Sequence, residues 1–234
     1  MPGKASRGEG GGHQVVLSID VGGSHVKVLT SDGGTERRVV SGPKMTGTGM
    51  IAAAKKLAEG LTFDVVSIGY PGPVKHSAPL KDPMNLGPGW VGLDYAKSFG
   101  KPVKMVNDAL MQAIGSYDGG RMLFLGLGTG LGSAMVVDDV ALPMELAHLP
   151  YRKGLSFEEY VGEAGLKRRG KKKWQKSVFD VVARLKGALQ PDYIVIGGGN
   201  VDDLGELPED CRHGDNTLAF KGGFRLWSDQ SLVI

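Results

Sequence analysis

KPVKMVNDALMQAIGSYDGGRMLFLGLGTGLGS, residues 101–133, places an acid at the end of an apolar strand and follows it at once with a glycine-rich hairpin. Val103 to Val106 is a short β-branched and apolar run after Pro102, with Lys104 its one polar member, and it reads as a strand. Asn107-Asp108 ends the run, and Ala109 to Ile114 reads as a helix with Asp108 as its N-cap. A carboxylate at a strand-to-helix junction sits on the rim of a sheet, where open α/β folds bind ligands. Aspartate is equally an ordinary helix cap, so the position alone leaves both readings open.

Further on, Gly128-Thr129-Gly130 interrupts two apolar runs, Met122 to Leu127 and Ala134 to Val137, as a tight turn between strands does. The same shape occurs earlier. Leu17 to Ser24 (LSIDVGGS) lines up with Leu123 to Gly130 (LFLGLGTG) at a constant offset, and each segment leads into an apolar strand followed by an acid, Asp32 or Asp138. The pattern reads as an internal duplication. Each hairpin can offer backbone N–H groups and a hydroxyl, Ser24 or Thr129, to anionic oxygens, because glycine lets other atoms approach the backbone closely. Taken singly, each is also what a plain glycine-rich hairpin looks like.

Four motifs, Asp20-Val21-Gly22-Gly23-Ser24, Asn107-Asp108-Ala109, Gly128-Thr129-Gly130 and Gly197-Gly198-Gly199, occur here in the order of the first phosphate, sugar-site acid, second phosphate and adenosine motifs of actin-like sugar kinases. The chain resembles the ROK family, most closely its glucokinase and polyphosphate glucokinase members, over residues 15 to 228. The resemblance implies an α/β, two-lobed, ribonuclease H-like actin fold with mixed sheets and duplicated glycine-rich hairpins. The expected segments are a flexible tail over 1–14, an N-terminal lobe over 15–118, ending at the turn signal Tyr117-Asp118-Gly119-Gly120, and a C-terminal lobe over 119–234.

For the site, the resemblance implies Asp108 as the base that takes a proton from the 6-hydroxyl of glucose, with Asn107 beside it. Glu145 and His148 answer to a sugar-contacting Glu-x-x-His pair, Glu158 to a later sugar-contacting acid, and Asn85 to the segment that precedes a short helix at the sugar pocket. Asp20, Gly22, Gly23, Ser24, Lys27, Gly128, Thr129, Gly130, Gly197, Gly198 and Gly199 are expected around the phosphoryl donor, ATP or inorganic polyphosphate. Asp20 is placed to organise Mg²⁺ directly or through water, a hard cation that suits one or two carboxylates plus phosphate oxygens. Read without the family, Glu-x-x-His is as well a surface turn, and Glu158 or Glu159 a first-turn acid favouring a helix N-terminus. Many relatives carry a cysteine-rich zinc motif after Glu-x-x-His; here Tyr151-Arg152-Lys153-Gly154 stands in its place, so no structural zinc is expected. A sugar-binding regulator without catalysis, or a kinase for another hexose such as an N-acetylated amino sugar, are the alternatives the family offers. A homodimer is expected on the same grounds.

Composition agrees with a globular chain large enough for one big domain or two small lobes. Among 234 residues, 41% are hydrophobic and 23% charged, and the 38 glycines exceed the usual ~7% more than twofold, which points to many tight turns. The single cysteine, Cys211, excludes a disulfide framework and a four-cysteine metal site. No run approaches the ~20 apolar residues of a membrane span, so a cytoplasmic protein is expected, without a membrane partner. A net charge of +3 is too small to argue for nucleic acid, and no partner of that kind is expected. No P-loop, H-E-x-x-H or G-x-S-x-G is present.

The rest of the chain reads as supporting elements. Val39 to Val40 is expected to begin a third strand, Met50 to Ala58 a helix, and Val65 to Gly69 a buried strand in a largely parallel sheet. Trp174, Val178, Val181, Leu185 and Leu189 mark one stripe of a long amphipathic helix closed by Pro191. Tyr193 to Ile196 is a strand, and Asn216 to Trp227 a final helix. Lys167, Arg168, Arg169, Lys171, Lys172, Lys173 and Lys176 put seven cations in ten residues, which is either a solvated helix face or a track for a polyanion.

Overall fold

Three strands of the first half, Val16–Val21, Val65–Tyr70 and Val103–Asn107, end where an apolar run meets glycine, proline or an amide. In the computed structural model, which describes residues 14–215 and 217–234, β1 (Val16–Val21) and β2 (His25–Thr30) form an antiparallel hairpin with Val21 opposite Val26. The tail expected over 1–14 lies, Gln14 apart, outside the described residues. β3 (Arg37–Val40) pairs with β2 and ends at Val40, where a strand was expected to begin. α1 (Gly47–Leu57) starts three residues before Met50, because the Thr46 hydroxyl accepts from the Gly49 nitrogen at 3.1 Å and caps it there. β4 (Val65–Tyr70) is buried throughout and runs parallel to β1.

A small hairpin, β5 (Val74–Lys75) with β6 (Ala78–Pro79), occupies the long connection, and α2 (Tyr95–Phe99) precedes β7 (Val103–Asn107), which lies parallel to β4. α3 (Asp108–Ser116) closes the first half. Asn107, and not Asp108, is its N-cap: β7 runs one residue further than expected, and the Asn107 side chain accepts from the Leu110 nitrogen at 3.1 Å. Each half-sheet is evenly mixed instead of largely parallel; the first has two antiparallel and two parallel pairings.

The second half repeats this path. β8 (Arg121–Leu127), β9 (Leu131–Val137) and β10 (Val140–Met144) form an antiparallel meander. α4 (Phe157–Val161), α5 (Glu163–Arg169) and the long α6 (Lys171–Leu189) follow, then β11 (Tyr193–Gly197), β12 (Cys211–His213) and α7 (Leu218–Ser228). The final helix begins at Leu218, and Asn216 lies outside the described residues. The two five-stranded sheets have matching orders, β3-β2-β1-β4-β7 and β10-β9-β8-β11-β12. Leu17, Ile19 and Val21 point into one core while their counterparts Leu123, Leu125 and Leu127 point into the other, which also takes up Trp174, Val178, Val181 and Leu185 of α6. The duplication legible in the glycine motifs is therefore a duplication of topology.

α3 and α7 form the layer between the sheets, and each packs on the sheet of the other half. Ala109 and Ala113 of α3 join Phe124 and Ala134 of the second sheet, while Gly223 of α7 lies over Ser18 and Ser67 of the first. The helices cross at glycines: a methyl group on Gly115 would overlap the Leu218 carbonyl, and one on Gly222 the Met111 carbonyl. Only residues without a Cβ let the two backbones meet here.

Candidate functional site

The C-terminal tip of β7 is the centre of the site. Asn107 serves there twice, capping α3 and donating its side-chain amide to the Gly72 carbonyl at 3.2 Å, which ties the strand tip to the Pro71–Pro73 turn. With the cap supplied by its neighbour, Asp108 is the first residue of the helix, and its Oδ1 accepts from the Ala109 nitrogen at 2.8 Å. Burial, then the negative charge of Asp20, push its carboxyl up to about 7, with a smaller contribution from Glu145 and with backbone donors opposing. A carboxyl poised near neutrality can exchange protons at working pH.

Asp20 leaves β1 next to the first hairpin turn, directly across from Lys27 on β2, with 3.9 Å between carboxylate and amine. Its side chain is 15% exposed. Burial raises its pKa, Lys27 opposes the rise and Glu36 adds to it. The turn itself is fastened from outside: the Ser41 hydroxyl donates to the Gly22 carbonyl at 2.7 Å and the Ser41 nitrogen to the Ser24 carbonyl at 2.9 Å. Exposed Asn85 lies against Gly23, so the structure brings it to the first hairpin.

The second hairpin and the late glycine loop meet through Asn200, which the sequence reading did not single out. Its side-chain amide donates to the Gly128 carbonyl at 3.2 Å and its backbone nitrogen to the Leu127 carbonyl at 3.0 Å. Gly198, at φ +89°, presses so closely on Leu127 that any side chain would collide with its backbone. Gly128 also accepts from the Glu163 nitrogen at 3.0 Å. A polar residue directly after a glycine run was the only available signal for Asn200.

The two acids of α4 divide. Glu159 turns back to Ser156 in a capping box, as a first-turn acid does, whereas Glu158 reaches the second hairpin and accepts from the Leu131 nitrogen at 3.2 Å. Glu145 and His148 flank the single helical turn Leu146–His148, 3.6 Å apart and 66% and 72% exposed. Glu145 shares a small cleft of about 140 Å³ with Pro73, Val74, Asn107 and Pro143, so strand tip and Glu-x-x-His turn face one space.

The basic run is partly committed. Lys167 pairs with Glu163, Lys171 with Asp203 at 3.0 Å, Arg168 donates to the Glu159 carbonyl at 2.6 Å, and Arg169 reaches Ser177 over the Tyr160 ring. Lys172, Lys173 and Lys176 stand exposed at the start of α6. Among the described residues no group of three or more His, Cys, Asp or Glu is assembled for a metal, and no helix is long and apolar enough to cross a membrane.

Two duplicated sheets, an interhelical layer and a carboxylate between two glycine-rich hairpins describe an actin-like ATPase fold, and solved structures of that class match the chain throughout. It superposes on the inorganic polyphosphate/ATP-glucomannokinase from Arthrobacter sp. strain KM with a TM-score of 0.81 at 21% identity, covering 93% of this chain and 100% of that one. A ROK family glucokinase from Streptomyces griseus, determined with glucose and AMPPNP, matches at a TM-score of 0.74 and 16% identity, over 91% and 98% of the two chains. In sequence, the chain is a homologue of the polyphosphate glucokinase of Mycobacterium tuberculosis, 27% identical over 205 residues, which is 78% of this chain and 77% of the relative. A Mycobacterium leprae polyphosphate glucokinase aligns at 27% identity over 79% of this chain and 59% of its own length. No protein-family model matches the chain.

Proposed function

We propose that the chain is a glucokinase-type sugar kinase that moves a phosphoryl group from polyphosphate or ATP to the 6-hydroxyl of glucose. The observation that carries this reading is Asp108: a carboxyl just beyond the tip of β7, pushed up to about 7 by burial and by the charge of Asp20 next to the first hairpin turn. Homology to polyphosphate glucokinases and a fold shared with sugar kinases support the same assignment.

Phosphoryl transfer needs positioning and charge stabilisation more than covalent help from the protein. The sugar 6-hydroxyl is held beside Asp108 by Asn107, Glu145 and His148, with Glu158 and Asn85 at the two hairpins. Asp108 takes the hydroxyl proton as the oxygen attacks, a contribution of about 10²–10⁴-fold for a positioned general base. The donor lies along Gly22-Gly23-Ser24 and Gly128-Thr129-Gly130, with Lys27 beside the first turn and Gly197-Gly198-Gly199 behind the second. Asp20, an oxygen donor with the Lys27 amine 3.9 Å away, suits Mg²⁺, which takes one or two carboxylates and completes its shell with phosphate oxygens and water. When bound there, Mg²⁺ would neutralise charge on the donor oxygens. Residues 15–118 and 119–234 act as two lobes that close over the sugar and exclude water as a competing acceptor.

The test is ³¹P NMR of the purified protein with Mg²⁺, each donor in turn, and glucose, mannose and N-acetylated amino sugars as acceptors. Glucose 6-phosphate is the expected product. Saturable sugar binding without transfer from either donor would replace this reading with that of a regulator.

A further inference from the structure

A cavity of about 660 Å³ opens along the edge of β7, away from both glycine-rich hairpins. Its floor follows the strand from Asn107 back to Lys104, a length of roughly 10 Å at ~3.3 Å per residue. Met105, Val106, Leu110, Leu226, Trp227 and Leu232 supply its apolar lining. The indole is held in place: its Nε1 donates to the Ser67 hydroxyl at 2.9 Å, and the Lys104 amine sits 4.5 Å from the ring centroid while donating to the Leu226 carbonyl at 2.6 Å. Asp229, also at the wall, is bound to Arg225 at 2.8 Å and to the Ser231 hydroxyl at 2.7 Å. Asp229 is thus ion-paired and Lys104 is held by a carbonyl and the indole; His76, Ser77 and Gln230 give the wall a polar part, and Leu226, Trp227 and Leu232 an apolar one. An alkyl or aryl substituent would bury apolar surface against Leu226, Trp227 and Leu232, in a cavity of the usual ligand-site size.

The cavity is continuous with the proposed sugar site. Val74, Asn107 and Pro143 line both it and the small cleft that holds Glu145. We propose that it is an acceptor-extension subsite, in which a hexoside lies with its sugar at Asp108 and an apolar alkyl or aryl aglycone along the β7 edge against Trp227. This rests on the kinase reading. In the reaction, the hexoside 6-hydroxyl oxygen forms the new bond to phosphorus and its proton passes to Asp108. The bond from phosphorus to the donor's bridging oxygen breaks, and the shortened ATP or polyphosphate leaves with that electron pair.

The experiment compares glucose with butyl and phenyl glucosides, both anomers, as acceptors for the wild type and for Gln230→Trp and Leu232→Trp, which fill the cavity from its rim and wall. Transfer to a glucoside by the wild type is expected, with kcat/KM falling tenfold or more in each variant while glucose stays within about twofold. Equal loss for glucose and glucosides, no loss for either, or transfer to glucose alone would overturn the subsite. Calorimetric titration of the wild type with phenyl glucoside separates the two readings. If no sugar is phosphorylated, the kinase reading fails, and saturable glucoside binding abolished in both variants still upholds the cavity as a glycoside site; absence of binding overturns it.

Discussion

Asn107 caps the helix that begins with Asp108, its side-chain oxygen 3.1 Å from the Leu110 nitrogen. A carboxylate in the first turn of a helix is ordinarily stabilised by the helix dipole. Here the opposite shift is found, because burial and the nearby charge of Asp20 outweigh the backbone donors. Capping thus falls to a neutral amide, which leaves the carboxylate available for the proposed proton transfer.

The raised carboxyl sets two opposite expectations for Asp108→Asn. As a general base it must be ionised, so kcat/KM of the wild type is expected to rise with pH through about 7, and the variant to retain well under a tenth of wild-type kcat. For stability, the folded protein binds this proton more tightly than the unfolded chain does. The group's stabilising contribution is complete below its ordinary value near 3.8 and is lost as pH rises through about 7. Asp108→Asn should therefore stabilise the fold at pH 8, by ~1–3 kcal/mol, and much less at pH 4.5. Thermal melts at the two pH values decide it; an equal shift at both would contradict the assigned pKa.

The crossing of α3 and α7 admits no side chain. Gly115→Ala and Gly222→Ala are each expected to destabilise by ~1–3 kcal/mol or more, since the methyl meets a backbone carbonyl that cannot rotate away. Gly187, exposed on α6 with open space around its Cβ position, is the control, and Gly187→Ala should stabilise by ~0.5–1 kcal/mol through helix propensity. Chemical denaturation of the three variants measures both signs in one series.

Closure of the lobes predicts a smaller particle when sugar binds. Saturating glucose is expected to lower the radius of gyration in small-angle X-ray scattering, and Asp108→Asn, which keeps the fold, to show the same change. An unchanged scattering profile with bound sugar would rule out a water-excluding closure of this kind.

Donor choice is tested at the start of α6. Lys172, Lys173 and Lys176 stand exposed at the start of α6, whereas Lys167, Arg168, Arg169 and Lys171 have partners within the fold. If the run holds polyphosphate, replacing these three by alanine should raise KM for polyphosphate at least tenfold and for ATP less than twofold. Salt should weaken polyphosphate use steeply as exposed charges are screened. Equal small effects on both donors would mark the run as a solvated helix face.

Local chemistry made much of the molecule legible in the sequence. Alternating apolar residues and glycine turns marked β1 and β8 as copies, and the matching sheet orders follow from that repeat. The stripe Trp174, Val178, Val181, Leu185 located α6, and an acid after an apolar run located Asp108. The tertiary structure decided what depends on residues far apart in the chain. Glu158 and Glu159 are alike as neighbours in sequence, and only the approach of Leu131 separates a hairpin contact from a helix cap. Asn200 acquires its place from Gly128, and Trp227 its fixed orientation from Ser67, 160 positions away. The exchange of α3 and α7 between the sheets, and with it the cavity along β7, arises from packing of surfaces that have no signature in residue spacing, because each is half of an interface whose other half lies in a distant segment.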